Sequence, residues 1–138
     1  MSTNEKTTAV SIEEFIQAHR IRMSAEQVDR NPQMDDFEGD HWKCVLRVGT
    51  SRMTVHFSKG YGHHGAEPQV SEVLDCLASD ATSFENARSF EEWARDYGYN
   101  TDSRKAEKTY RAVEKQATAL RRLLGDSYET LLWNTERQ

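Results

Sequence analysis

The residues best suited to chemistry lie between Asp40 and Gly65. The run Lys59-Gly60-Tyr61-Gly62-His63-His64-Gly65 joins three glycines, which let a backbone approach a ligand closely, to two adjacent histidines, the side chain that moves protons or ligates metal near neutral pH. His56 stands just upstream, with His41 and Asp40 further off. A metal centre needs three or four converging ligands, and neighbouring histidines rarely reach one ion. No HExxH or CxxC spacing is present, and the loop lacks the GxxxxGK[ST] order that cradles phosphate. The expectation is a connection between a strand and a helix. Its functional alternative is a loop that binds a partner or nucleic acid. A small hydrolase or metal-dependent enzyme on His56, His63 and His64 is a third reading. No catalytic residue, metal or cofactor is assigned.

Charge offers two further surfaces. The formal net charge is -5, yet residues 41–65 carry four bases and no acid, residues 66–102 nine acids and two bases, and residues 103–125 seven bases and two acids. Lys43, Arg47, Arg52 and Lys59, together with Arg104, Lys105, Lys108 and the later bases of that segment, are candidates for binding nucleic-acid phosphates. Asp80, Glu85, Glu91, Glu92 and Asp96 form an acidic series, the type that imitates a phosphate backbone and occupies a basic groove. Either set also reads as the ordinary solvated face of a helix or strand. Glu107 and Arg111 have supportive i, i+4 spacing. No helix-turn-helix, zinc-finger or RRM signature points to specific recognition.

The elements that must position these residues follow from periodicity. Ser11-Ile12-Glu13-Glu14 has capping-box form and opens a helix over 12–20. Ile21, Met23 and Ala25 alternate with polar residues, predicting a strand near 20–28 that stops at Asn31-Pro32, before an acidic loop over 35–40. Trp42, Cys44, Leu46 and Val48, then Met53, Val55 and Phe57, are apolar at period two around Gly49-Thr50-Ser51, so 42–58 is a hairpin. Its polar face carries Lys43, Arg47, His56 and Lys59. Pro68 suits a helix start, and Val70, Val73, Leu74, Leu77 and Ala81 give that helix its apolar stripe. Ser89-Phe90-Glu91-Glu92 caps a short helix that turns Phe90, Trp93, Ala94 and Tyr97 inward and ends at Gly98. Asn100, Thr101, Asp102 and Ser103 offer N-caps for the longest helix, 102–124. There Ala106, Tyr110, Val113, Ala117, Leu120 and Leu124 make a heptad-like seam, which docks within the domain or joins two copies. After Gly125, Tyr128, Leu131, Leu132 and Trp133 pack back.

The fold class is α+β: a small antiparallel sheet of two to three strands packed with four to five helices. Residues 1–10 are expected to be disordered and 11–138 to form one domain. Cys44 and Cys76 are expected to be buried free thiols. No apolar run reaches the roughly 18 residues of a membrane span, so a cytoplasmic protein, monomer or homodimer, is expected.

Three runs resemble a group of short bacteriophage and prophage proteins without assigned activity: Val73-Leu74-Asp75-Cys76-Leu77-Ala78-Ser79-Asp80-Ala81, Ser89-Phe90-Glu91-Glu92-Trp93-Ala94, and Gly98-Tyr99 with Asp102-Ser103-Arg104-Lys105-Ala106 and Tyr110. The likeness spans about Trp42 to Leu124. It implies an accessory protein inside an infected bacterium, with no site residue to carry over. That setting leads to the functional expectation. The first reading is a non-enzymatic inhibitor of a host defence effector, protein or ribonucleoprotein and anti-CRISPR-like, acting by occlusion through the acidic helices of 69–97 or the Gly-His loop. The alternative is an accessory protein of phage DNA metabolism that binds nucleic acid through its basic hairpin and helix.

Overall fold

The computed structural model describes residues 10–30, 40–59, 67–87, 89–96, 98, 100 and 104–136. In chain order its elements are β1 (Val10–Ser11), α1 (Ile12–His19), β2 (Arg22–Val28), β3 (Asp40–Val48), β4 (Ser51–Lys59), α2 (Val70–Asn86), α3 (Phe90–Asp96), α4 (Arg104–Leu124), α5 (Ser127–Trp133) and β5 (Thr135–Glu136). The class is α+β, as expected: an antiparallel sheet in the order β2-β3-β4, a small parallel pair β1-β5, and five helices among the described residues.

Local chemistry accounts for the element ends. At the start of α1, Glu14 N–H donates to Ser11 Oγ (3.1 Å) and Ser11 N–H donates to Glu14 Oε1 (3.0 Å), which completes the capping box. The helix stops at Arg20, a non-glycine residue in the left-handed region (φ 52). Arg20 N–H donates to Gln17 O (3.2 Å) and Ile21 N–H to Ile16 O (3.0 Å), the paired bonds of a Schellman motif. Ile21 is thereby buried, and the chain leaves directly into β2. The hairpin turn is Gly49-Thr50, flanked by the Val48–Ser51 pair. Gly49 (φ 59) holds the positive φ that a two-residue hairpin loop demands at its first central position.

The hairpin alternates as its sequence implies. Cys44, Leu46, Met53 and Val55 are buried on one face, packed in a single cluster with Val73, Leu74 and Leu77 of α2, Leu120 of α4 and Leu131 of α5. Each buried Leu or Val of this cluster contributes about 1.5–3 kcal/mol relative to exposure, and this burial anchors the helical layer to that face of the sheet. A smaller cluster joins Trp93 and Ala94 of α3 to Val113 of α4, with Phe84, Phe90 and Tyr110 against it. The Tyr110 ring lies 5.2 Å from Phe90 and 5.3 Å from Trp93, both near edge-to-face.

Several expectations need correction. Val10, grouped by its sequence with the N-terminal tail, pairs in parallel with Thr135 and ties the start of the described chain to its end. Asp40 is the first residue of β3 rather than part of a loop. Cys44 is buried, but Cys76 is exposed, because the stripe 73/74/77/78/81 turns residue 76 outward. Trp133 is half exposed and does not join Tyr128, Leu131 and Leu132 in the core. The α4 seam is used within the molecule, Tyr110 and Val113 against α3 and Ala117, Leu120 and Leu124 in the main core with α2 and the sheet, with Leu123 joining them. Residues 1–9, Asn31-Pro32, 35–39, the Gly-His loop 60–65, Tyr97 and the N-cap candidates Thr101, Asp102 and Ser103 lie outside the described residues.

Candidate functional site

Pairing register decides what the other sheet face presents. Arg22 stands opposite Arg47, and Arg47 opposite Arg52, so three arginines from β2, β3 and β4 form one cross-strand row beside the hairpin turn. The next rows on this face are Ser24-Val45-Thr54, Glu26-Lys43-His56 and Val28-His41-Ser58. Arg22 and Arg52 are exposed and Arg47 is half-buried. Arg22 donates weakly to Gly49 O (3.4 Å), and Arg47 donates to Ser24 Oγ (3.2 Å). Among the described residues no carboxylate neutralises any of the three. Like charges directly opposite on a sheet repel, so the row is a local cost as well as a concentrated positive field. Further along, Glu26 sits across from Lys43 and offsets it.

Lys59 does not belong to this surface. Its position in β4 has the parity of Met53, Val55 and Phe57, so its stem runs along the core and only 8% of it is exposed. Its amine meets Glu72 at the start of α2, Nζ to Oε2 at 3.2 Å. Glu72 also accepts from Gln69 N–H (2.9 Å), so one carboxylate caps α2 and receives the buried amine.

The expected merger of basic hairpin and basic helix does not occur. Helix α4 lies on the buried side of the sheet, and Arg104, Lys105, Lys108 and Arg122 are exposed on its outer side, so the two basic surfaces occupy opposite layers. Arg111 pairs with Glu114 (3.2 Å), not with Glu107.

The acidic series is also divided. Glu85 Oε2 accepts from Arg121 Nη2 (3.0 Å) and from the Tyr128 hydroxyl (2.8 Å), while the Arg121 guanidinium lies over the Tyr128 ring, 4.4 Å from its centroid. This network joins α2, α4 and α5. Burial and then the Glu85 hydrogen bond push the Tyr128 hydroxyl above its usual pKa, so it stays a donor. Asp80 is half-buried, and desolvation raises its carboxyl above the ordinary range. Glu91 and Asp96 are exposed on α3, and Glu92 lies between them with its N–H donated to Ser89 Oγ (3.2 Å).

Of the described histidines, His41 and His56 lie in adjacent rows of one sheet face, and His19 ends α1. His41 Nδ1 is 2.8 Å from Ser58 Oγ, an in-sheet contact. His63 and His64 lie outside the described residues. Among the described residues no group of three His, Cys, Asp or Glu side chains is placed to hold a metal ion. One His–Ser contact escaped sequence reasoning because its members are 108 residues apart: His19 Nε2 and Ser127 Oγ, at 2.8 Å. His19 Nδ1 lies 2.9 Å from Phe15 O, and the Phe15 and His19 rings stack at 4.2 Å. This contact clasps α1 to α5. Burial and then Glu67 push the Cys44 thiol up to about 11, which keeps it an unreactive core group.

Arg22 was not legible as a site residue, because the strand register that brings it beside Arg47 is set by a long-range pairing. No protein family, curated protein or solved structure matches this chain. No helix among the described residues is long and apolar enough to cross a membrane.

Proposed function

We propose that the protein is a non-enzymatic accessory protein that binds nucleic acid through the open face of its three-stranded sheet. The observation that carries this reading is the in-register row Arg22-Arg47-Arg52, held by the pairing of three strands and left without a carboxylate among the described residues. A polyanion offsets the mutual repulsion of the row, and guanidinium groups suit phosphate oxygens. The phage setting implied by the resemblance is compatible with this role. The test is fluorescence anisotropy of labelled DNA across a salt series. Wild type binds with a steep salt dependence, and Arg22→Gln/Arg47→Gln/Arg52→Gln loses at least tenfold in affinity. Unchanged binding by the triple variant overturns the reading.

A second reading is inhibition of a host defence complex by an acidic surface. It rests on Glu91 and Asp96, which are exposed on α3 and enter no ion pair with a described residue. Its test is Glu91→Lys/Asp96→Lys in a nuclease-treated pull-down from bacterial lysate. Loss of a stoichiometric effector partner supports it, and retention of that partner counts against it. Glu85 is left intact, because reversing its charge breaks the contacts to Arg121 and Tyr128.

A further inference from the structure

We infer that the sheet face takes double-stranded rather than single-stranded nucleic acid, and that it reads charge rather than sequence. This rests on the nucleic-acid reading above. Sheets that bind single strands do so by stacking bases on exposed aromatic rings. Here the hairpin's aromatic residues, Trp42 and Phe57, share the core-facing parity of their strands. The open face presents Ser24, Val45 and Thr54 between its charged positions, and its only described rings are His41 and His56. His41 is 9% exposed and bonded to Ser58, so it offers no platform.

With no described Phe, Tyr or Trp on this face to stack a base, affinity comes from phosphates, and the polymer with the denser charge gains most. Duplex DNA carries one charge per about 1.7 Å of axis and releases about 0.9 counterion per phosphate neutralised, against about 0.7 for a single strand. Adjacent strands stand about 4.8 Å apart, so the arginine row spans about 10 Å. Three successive phosphates on one strand span about 7 Å of axis and four about 10 Å, so the row matches a run of three to four. The major groove admits a two-stranded ribbon; the three-stranded face is broader, and its cations at the turn end suit contact with the backbones rather than base edges. Glu26, opposite Lys43, keeps a second cationic row from forming and concentrates the grip at the turn end.

The experiment uses the full chain with two unrelated labelled 20-bp DNA duplexes and each of their strands alone, by anisotropy between 50 and 200 mM salt. The two duplexes are expected to bind within about twofold of each other and at least about fivefold more tightly than the strands. The logarithmic salt slope is expected near -2.7, about 0.9 for each of three contacts. Single strands bound as tightly as duplexes overturn the duplex inference while leaving the nucleic-acid reading in place. A tenfold preference between the duplexes overturns the charge-only part. No binding of either form at 50 mM salt overturns the inference and the reading together. Arg52→Gln alone, at an exposed position of an edge strand, keeps the test open should the triple variant fail to fold. It reduces the slope by about 0.9, and an unchanged slope counts against the row.

Discussion

Lys59 and Glu72 make an asymmetric pair: side-chain exposure is 8% for the lysine and 39% for the glutamate, at 3.2 Å. Removing the carboxylate leaves an amine in the core without this partner, whereas removing the lysine leaves a carboxylate that water can solvate. Lys59→Met is therefore expected to stay within about 1 kcal/mol of wild type in urea unfolding, and Glu72→Gln to lose about 1–2 kcal/mol. Glutamine retains an acceptor for Gln69 N–H, so the difference reports the charge rather than the cap. Asp80 carries a pH signature of opposite sign to a salt-bridged acid. Burial raises its folded-state pKa, so the ionised form penalises the fold. The penalty is complete above the folded pKa and absent below the unfolded value of about 3.9. Asp80→Asn should therefore melt higher than wild type at pH 7, with the two Tm values converging near pH 3. A constant gap across that range would mean that Asp80 ionisation is not the cause.

At the scale of elements, the end of α1 is the clearest strained position. Arg20 adopts φ 52, where a Cβ costs about 1–2 kcal/mol, because the Schellman bonds and burial of Ile21 require it. Arg20→Gly is expected to raise stability by about 1 kcal/mol, measured by chemical denaturation, with the α1–β2 junction unchanged. A loss of stability would show that the arginine side chain matters more than its backbone. By contrast α4 ends at Gly125 (φ 58), whose N–H donates to Arg121 O (2.8 Å), where sequence and conformation already agree. Helix α3 has seven residues, too few to persist alone, and Phe90, Trp93 and Tyr110 hold it to α4.

For the whole molecule, the layer order matters most. One sheet face supports the helical core and the other displays the arginine row, so the cations of α4 and those of the sheet cannot grip one ligand site together. Neutralising the helix in Arg104→Gln/Lys105→Gln/Lys108→Gln is expected to lower DNA affinity no more than about twofold, against at least tenfold for the sheet variant. Comparable losses from the two variants would assign the binding surface to both layers. The chain ends also meet: Val10 N–H donates to Asn134 O (3.2 Å), so β1 and β5 hold α1 and α5 side by side, with His19 and Ser127 clasped between them.

The sequence by itself determined the class and most of the elements: the capping box at Ser11, the period-two hairpin around Gly49, the apolar stripe of α2 and the seam of α4. These rest on nearest neighbours and periodicity, which act over a few residues. It also placed Lys43 and Arg47 on a polar face. Only the tertiary structure decided the rest. Strand register, set by pairing across sequence, put Arg22 beside Arg47 and Arg52. Strand parity and the approach of α2 turned Lys59 inward to Glu72. The packing of α2, α4 and α5 took Glu85 out of the acidic series, and the covering of one sheet face separated the two basic surfaces. Charge can be counted along a chain, but which charges share a surface depends on contacts between residues far apart in it.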